Sequence, residues 1–231
     1  SCNNVHVTDV LIDVGDDAVS VKSGLHWKTK KKVAASNYLF ERVTILHRNF
    51  AIGSDVSGDV LNITFRDSVI GDDLGSSPWA IKLKTDSQEG GLVDGIHFLN
   101  LTIGNITFCG SSAFVYNPPH ASSSSCTPGH EKGSTMIDVG MGYVGAVTNP
   151  GRDTNIVFEG LHGIGPTGPS MNAHGLDNAT GCPTCNEHIV NITLKDIQLE
   201  TGGPWLCNDV DGLIRENVDR WPEGSTCGRR D

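Results

Sequence analysis

The chain has 231 residues and a formal net charge of −10, and no stretch approaches the roughly 18 consecutive apolar residues that a membrane span needs. That acidic balance argues against a nucleic-acid partner, and no phosphate loop, nucleotide fingerprint or zinc spacing of any strength is present. With 28 glycines, 10 prolines and many short Val/Ile/Leu/Phe patches, the sequence predicts short strands joined by turns rather than long helices.

From Ser1 the chain runs straight into patterned β sequence, with no signal-peptide pattern, so it is expected to begin mid-structure. Six segments then share one pattern: an apolar residue, a spacer, an apolar residue, two spacers, and an apolar or small residue. In chain order they are Val5/Val7/Val10, Tyr38/Phe40/Val43, Ile63/Phe65/Ser68, Ile96/Phe98/Leu101, Ile156/Phe158/Leu161 and Ile192/Leu194/Ile197. They start about 25 to 35 residues apart, the spacing of coils in a solenoid, with one double-length gap across 101–153. One coil cannot bury its inner face, whereas stacked coils share a continuous core. The pattern therefore predicts an all-β, right-handed parallel β-helix, with 1–231 as one domain. A β-sandwich would need hairpin turns every 8–12 residues or so, and Asn-Gly and Asp-Gly pairs are sparse. The gap holds a Pro/Ser-rich stretch, Asn117-Pro118-Pro119 through Pro128, which reads as an inserted loop. Long loops are expected over 22–37 and 110–153.

Seven cysteines suit an oxidising compartment, with local pairs Cys109–Cys126, Cys182–Cys185 and Cys207–Cys227 leaving Cys2 over. Cys182-Pro-Thr-Cys185 lacks the second ligand pair of a zinc site and the βαβ setting of a redox motif. Sequons at Asn62, Asn100, Asn105, Asn178 and Asn191 agree with secretion, although four lie in or beside strands, where Asn and Thr also serve structure.

The chemistry concentrates in Gly15-Asp16-Asp17-Ala18, ahead of the strand Val19-Ser20-Val21-Lys22. Adjacent carboxylates can act as general acid and base, yet an Asx-turn or calcium corner gives the same letters, and Gly71-Asp72-Asp73 repeats them. Context separates the two. Lys22, Lys82 and Lys84 lie on strands, Arg48 precedes another, and Lys28-Thr29-Lys30-Lys31-Lys32 fills a nearby loop. Cations near paired acids in an acidic chain suit a polyanionic sugar, and His26-Trp27 offers a ring to stack on it. His162, His174 and His188 are scattered and read as surface or core residues.

In this order and spacing, GDDAVSVKSG, FAIGSDVSGDV, WAIKLKT with EGGLVDGI, and the tail ITLKDIQLETGGPWLC resemble the pectin-degrading polygalacturonase family of glycoside hydrolases. The resemblance covers roughly 1–110 and 186–227. It implies inverting hydrolysis of α-1,4-linked galacturonan without metal or organic cofactor, with Asp16 as general acid and Asp17 positioning and deprotonating water. Three departures accompany it. The family's Asn-Thr-Asp carboxylate would fall before Ser1, so a separate N-terminal fragment is one expected partner. The motif histidine aligns with His47 in one form of the family and with Arg48 in another, and the role is carried to His47. The Arg-Ile-Lys substrate clamp reads Lys82-Leu83-Lys84, a point charge replacing a bidentate fork. Lys22, Arg48, Lys82 and Lys84 are thus the expected substrate contacts, pectin the expected partner and the extracellular cell wall the expected location. Exo action is favoured over endo because the long loops would wall off one end of the cleft. The alternative is a catalytically weak or inactive β-helix module that binds cell-wall polysaccharide.

Overall fold

The computed structural model describes residues 1–25, 31–71, 79–88, 90–106, 134–143, 147–176 and 186–228. Among them the chain forms strands β1 (Asn3–Ile12), β2 (Val19–Leu25), β3 (Lys32–Val33), β4 (Ala35–Ile45), β5 (Phe50–Val56), β6 (Val60–Ile70), β7 (Trp79–Thr85) and β8 (Leu92–Ile106). There follow β9 (Thr135–Gly140), β10 (Arg152–Pro166), β11 (Met171–His174), β12 (Ile189–Leu199), β13 (Trp205–Asn208), β14 (Val210–Asp211) and β15 (Ile214–Val218). No helix among the described residues is long and apolar enough to cross a membrane.

Two sheets are built by alternation along the chain. One runs β1-β4-β6-β8-β10-β12-β14, with β15 also on β12; the other runs β13-β11-β9-β7-β5-β2, and β3 closes on β2 as a short antiparallel hairpin. All other pairings are parallel. Successive strands of one sheet are separated by a strand of the other, so each coil contributes one rung to both sheets. The fold is a parallel β-helix.

The six repeated segments are the rungs of the first sheet. Val5, Tyr38, Ile63, Ile96, Ile156 and Ile192 pair in one row, and Val7, Phe40, Phe65, Phe98, Phe158 and Leu194 in the next. Inside, Phe40, Phe50, Phe65, Phe98 and Phe158 form a column, with neighbouring centroids 5.2 Å apart for Phe40–Phe50, 4.6 Å for Phe50–Phe65 and 5.2 Å for Phe98–Phe158. Burial of this column and of the Ile and Val rows beside it is the main stabilising term.

The backbone also explains why the pattern steps by two and then by three. Asn4, Asn37, Asn62, Asn155 and Asn191 precede the first apolar residue with positive φ (53° to 60°), and Gly95 takes the same place at 68°. A second bend falls at Asp9, Arg42, Asp67, Asn100, Gly160 and Asp196, between 49° and 70°. Left-handed residues interrupt the two-residue alternation and return the third apolar side chain to the core; Gly, Asn and Asp adopt that conformation at least cost. The stacked amides also bond one another: Asn37 Nδ2 donates to Asn4 Oδ1 at 3.2 Å, Asn62 to Asn37 at 2.8 Å and Asn191 to Asn155 at 3.0 Å. Asn62, Asn100 and Asn191, three of the five sequon asparagines, are therefore bend residues of this ladder.

Two expectations need correction. The segments expected as loops carry strands: 22–37 contains the end of β2, β3 and the start of β4, and 110–153 contains β9, because each coil needs a rung in the second sheet. The Cys207–Cys227 disulfide forms as expected and Cys2 is free and exposed. Cys109, Cys126, Cys182, Cys185, Asn178, His26, Trp27, Lys28, Lys30, Asp72, Asp73 and the 117–128 stretch lie outside the described residues.

One buried acid stands apart from the core. Asp153 on β10 is fully buried; Thr85, the last residue of β7, donates to its Oδ1 at 2.7 Å, while its Oδ2 has no hydrogen-bond partner. Burial pushes this carboxyl up to about 7, opposed only by the Thr85 bond.

Candidate active site

The second sheet turns alternate side chains inward and outward. Val19, Phe50, Ile81, Ile137, Met171 and Trp205 form one inward row, and Val21, Ile52, Leu83, Val139, Ala173 and Cys207 the other. Between them lies an outward row, Ser20, Ala51, Lys82, Asp138, Asn172 and Leu206, with Gly53, Lys84, Gly140, His174 and Asn208 alongside. Small residues on β5 leave room on this face. A Cβ at Gly140 would lie 2.6 Å from the His174 ring, so the glycine is what lets that imidazole lie across β9.

The paired acids sit where the turn before β2 stacks on the turn before β5. Leu46 N–H donates to the Ile12 carbonyl at 3.0 Å and Ala18 N–H to the Asn49 carbonyl at 3.0 Å, which holds the two turns together. Asp16 is exposed, and its Oδ1 accepts the Asp17 N–H at 2.7 Å. Asp17 is held from two sides: the buried Asn49 donates Nδ2 to Oδ1 at 3.0 Å, and Lys84 donates Nζ to Oδ2 at 2.5 Å. Beside them His47 Nδ1 lies 2.5 Å from Asp13 Oδ1.

Lys82 is engaged otherwise. Its ammonium lies 3.3 Å from the Trp79 ring centroid and 3.3 Å from Asp138 Oδ2, and Asn172 Nδ2 donates to the other Asp138 oxygen at 3.3 Å. Burial pushes the Lys82 ammonium below its ordinary value, against the pull of Asp138. The Tyr143 ring, 40% exposed, stands 5.8 Å from Lys82 Nζ and 5.4 Å from Lys84 Nζ and presents a flat surface to solvent above both.

Of the residues singled out by sequence, Asp17 and Lys84 are in direct contact, Asp16 joins them through the backbone, and His47 lies in the stacked turn. Lys22 shares the sheet but pairs with Asp55 at 3.0 Å, both half exposed. Arg48 stands between His47 and Asn49 and makes no ion pair among the described residues. Asp13, Asn49, Asp138, Asn172 and Tyr143 were not singled out by sequence, and His174, read there as a surface or core residue, lies on the outward face beside Gly140. A usable signal existed for Asp138: WAIKLKT and TMIDVGM carry the same apolar alternation, which places it opposite Lys82 as β7 and β9 pair.

Acids, amines and an exposed aromatic ring thus lie together beside the second sheet of a parallel β-helix. The chain belongs to glycosyl hydrolases family 28, the polygalacturonase family, whose sequence profile matches residues 1–127, a span containing Asp16, Asp17, His47, Lys82 and Lys84. No curated protein matches the chain. Family membership makes it a glycoside hydrolase acting on pectin-type substrates.

Proposed function

We propose that the chain hydrolyses α-1,4-galacturonosidic bonds with inversion, outside the cell, on pectin of the cell wall. The observation that carries this reading is Asp17, fixed by Lys84 and Asn49 beside an exposed Asp16. Asp16 gives its proton to the glycosidic oxygen as the bond to the anomeric carbon breaks. Asp17 orients a water on the opposite face of the ring and takes its proton as the new bond forms, so the configuration inverts. His47, oriented by Asp13, lines the same stacked turn and assists proton transfer. Arg48 supplies positive charge to the substrate face, with Lys22 and Lys84 beside it held by Asp55 and Asp17, and Tyr143 supplies a stacking surface.

The second reading, a polysaccharide-binding β-helix of weak or no activity, draws support from Lys82, which is engaged by Asp138 rather than open to a uronate. Chromatography of products from polygalacturonate, run with Asp16→Asn beside the unchanged chain, separates the two. Loss of at least about a hundredfold in release supports hydrolysis with Asp16 as the acid. Equal release by both chains overturns the assignment of Asp16, and binding without release by either supports the second reading. Monomer as sole product means exo action, and a ladder means endo.

A further inference from the structure

The Lys82 position is a closed charge system. Its ammonium has Asp138 Oδ2 at 3.3 Å on one side and the Trp79 ring at 3.3 Å on another, and the two side chains of the ion pair are only 12% and 15% exposed. Asn172 holds the second Asp138 oxygen, so the carboxylate is tied into the sheet rather than free to swing aside. Lys84 is likewise taken by Asp17, and Lys22 by Asp55. A sugar carboxylate arriving at Lys82 would share one ammonium with a fixed carboxylate a few ångströms away. Such an arrangement is repulsive, and the Lys82 side chain that would receive the second anion is already largely buried against Asp138 and Trp79.

We infer that Asp138 is a specificity-determining residue that closes the Lys82 position to free carboxylates, so that the sugar unit bound there is uncharged. Two sources have this chemistry, a methyl-esterified uronate and a neutral sugar. The inference rests on the pectin reading given above and refines it: the polymer as a whole is pectic, and the unit over Lys82 carries no charge. Asp138 touches Lys82 rather than the reacting atoms, so it positions and selects.

The test is calorimetric binding to the Asp16→Asn chain, which removes turnover from the measurement. The probes are fully de-esterified galacturonate oligomers, fully methyl-esterified ones and neutral galactan oligomers of equal length. The expected order has one uncharged set bound more tightly than the de-esterified set, and the tighter uncharged set identifies the source. Adding Asp138→Asn, which keeps the shape and removes the charge, should shift the ratio toward de-esterified oligomers by about tenfold or more and make their binding more salt-dependent. Asp138→Glu should restore the original order. Tighter binding of de-esterified oligomers to the chain with Asp138 in place overturns the inference whether or not the Asn variant folds. So does a ratio unmoved by Asp138→Asn. Binding of none of the three sets overturns the pectin reading itself, and this inference with it.

Discussion

Asp153→Asn should flatten the dependence of stability on pH between about 4 and 7. The carboxyl titrates at an ordinary 3.8 when the chain is unfolded and at about 7 in its buried place between β10 and β7. Below about pH 4 both states hold the proton, and the group's contribution to stability is fully present. As pH rises toward 7, the unfolded chain gives the proton up and the folded chain keeps it, which favours unfolding by about 1.4 kcal/mol per pH unit. Over about three units the loss approaches 4 kcal/mol, a large part of the stability of a domain this size. Asparagine has no such titration. Its oxygen can still accept the Thr85 hydroxyl, but its amide would sit where Oδ2 now has no partner, at a constant cost of about 1–3 kcal/mol. Urea unfolding followed by circular dichroism at several pH values gives both curves, and every other titrating group cancels in their difference. The Asn variant should be the less stable protein near pH 4 and the more stable one near pH 7. Curves that run parallel across this range would refute the argument, because Asp153 would then titrate alike in both states.

Two further outcomes follow from the same geometry. Asn49→Ala leaves Asp17 with Lys84 as its remaining side-chain partner, so kcat should fall by about tenfold or more with KM little changed, as steady-state kinetics on polygalacturonate would report. Equal loss in KM would assign Asn49 to substrate binding instead. Gly53→Ala and Gly140→Ala should differ sharply in thermal unfolding. The first puts a Cβ 2.1 Å from the Lys84 carbonyl at a φ of +95° and should cost several kcal/mol, on the order of 3. The second meets only the tip of the His174 ring and should cost less than about 1 kcal/mol while displacing the imidazole, visible as a shift of its ring proton resonances.

The rungs of the first sheet were legible because inward positions of a stacked coil must be apolar, and Phe40, Phe65, Phe98 and Phe158 repeat at matching places. The second sheet was harder to read. Its strands on β9, β11 and β13 are four to six residues long, and β11 offers only Met171 and Ala173 to the core. So short an alternation does not stand out from turn sequence, and β9 lies within the 110–153 segment that the sequence predicts as a loop. Asp16, Asp17 and Lys84 were legible because they fall in ordered motifs, whereas Asn49 was not. Its role comes from the stacking of two turns whose sequences share no pattern. Asp138 was hidden for another reason: the charge it neutralises, Lys82, is more than fifty residues distant, and only the register of β7 on β9 brings them together. The bend asparagines were visible but carried two meanings, since Asn-Ile-Thr is both a sequon and a rung start.

The regular register has a consequence for how such a chain changes over time. Contacts between successive rungs join residues 33, 25 and 36 positions apart, yet the step from β8 to β10 spans 60. Closing the longer excursion costs only about half a kcal/mol more than closing one of 33, because loop entropy grows with the logarithm of length. The twelve register pairs of β8 with β10, and the flat stack of Phe98 on Phe158, far outweigh that difference. Chain can therefore be added between rungs almost without penalty, while a single residue gained or lost within a rung would throw both bend positions and every inward side chain beyond it out of step. Changes in length are therefore expected in the connections between rungs, while the rungs that carry Lys82, Lys84 and Asp138 keep their spacing.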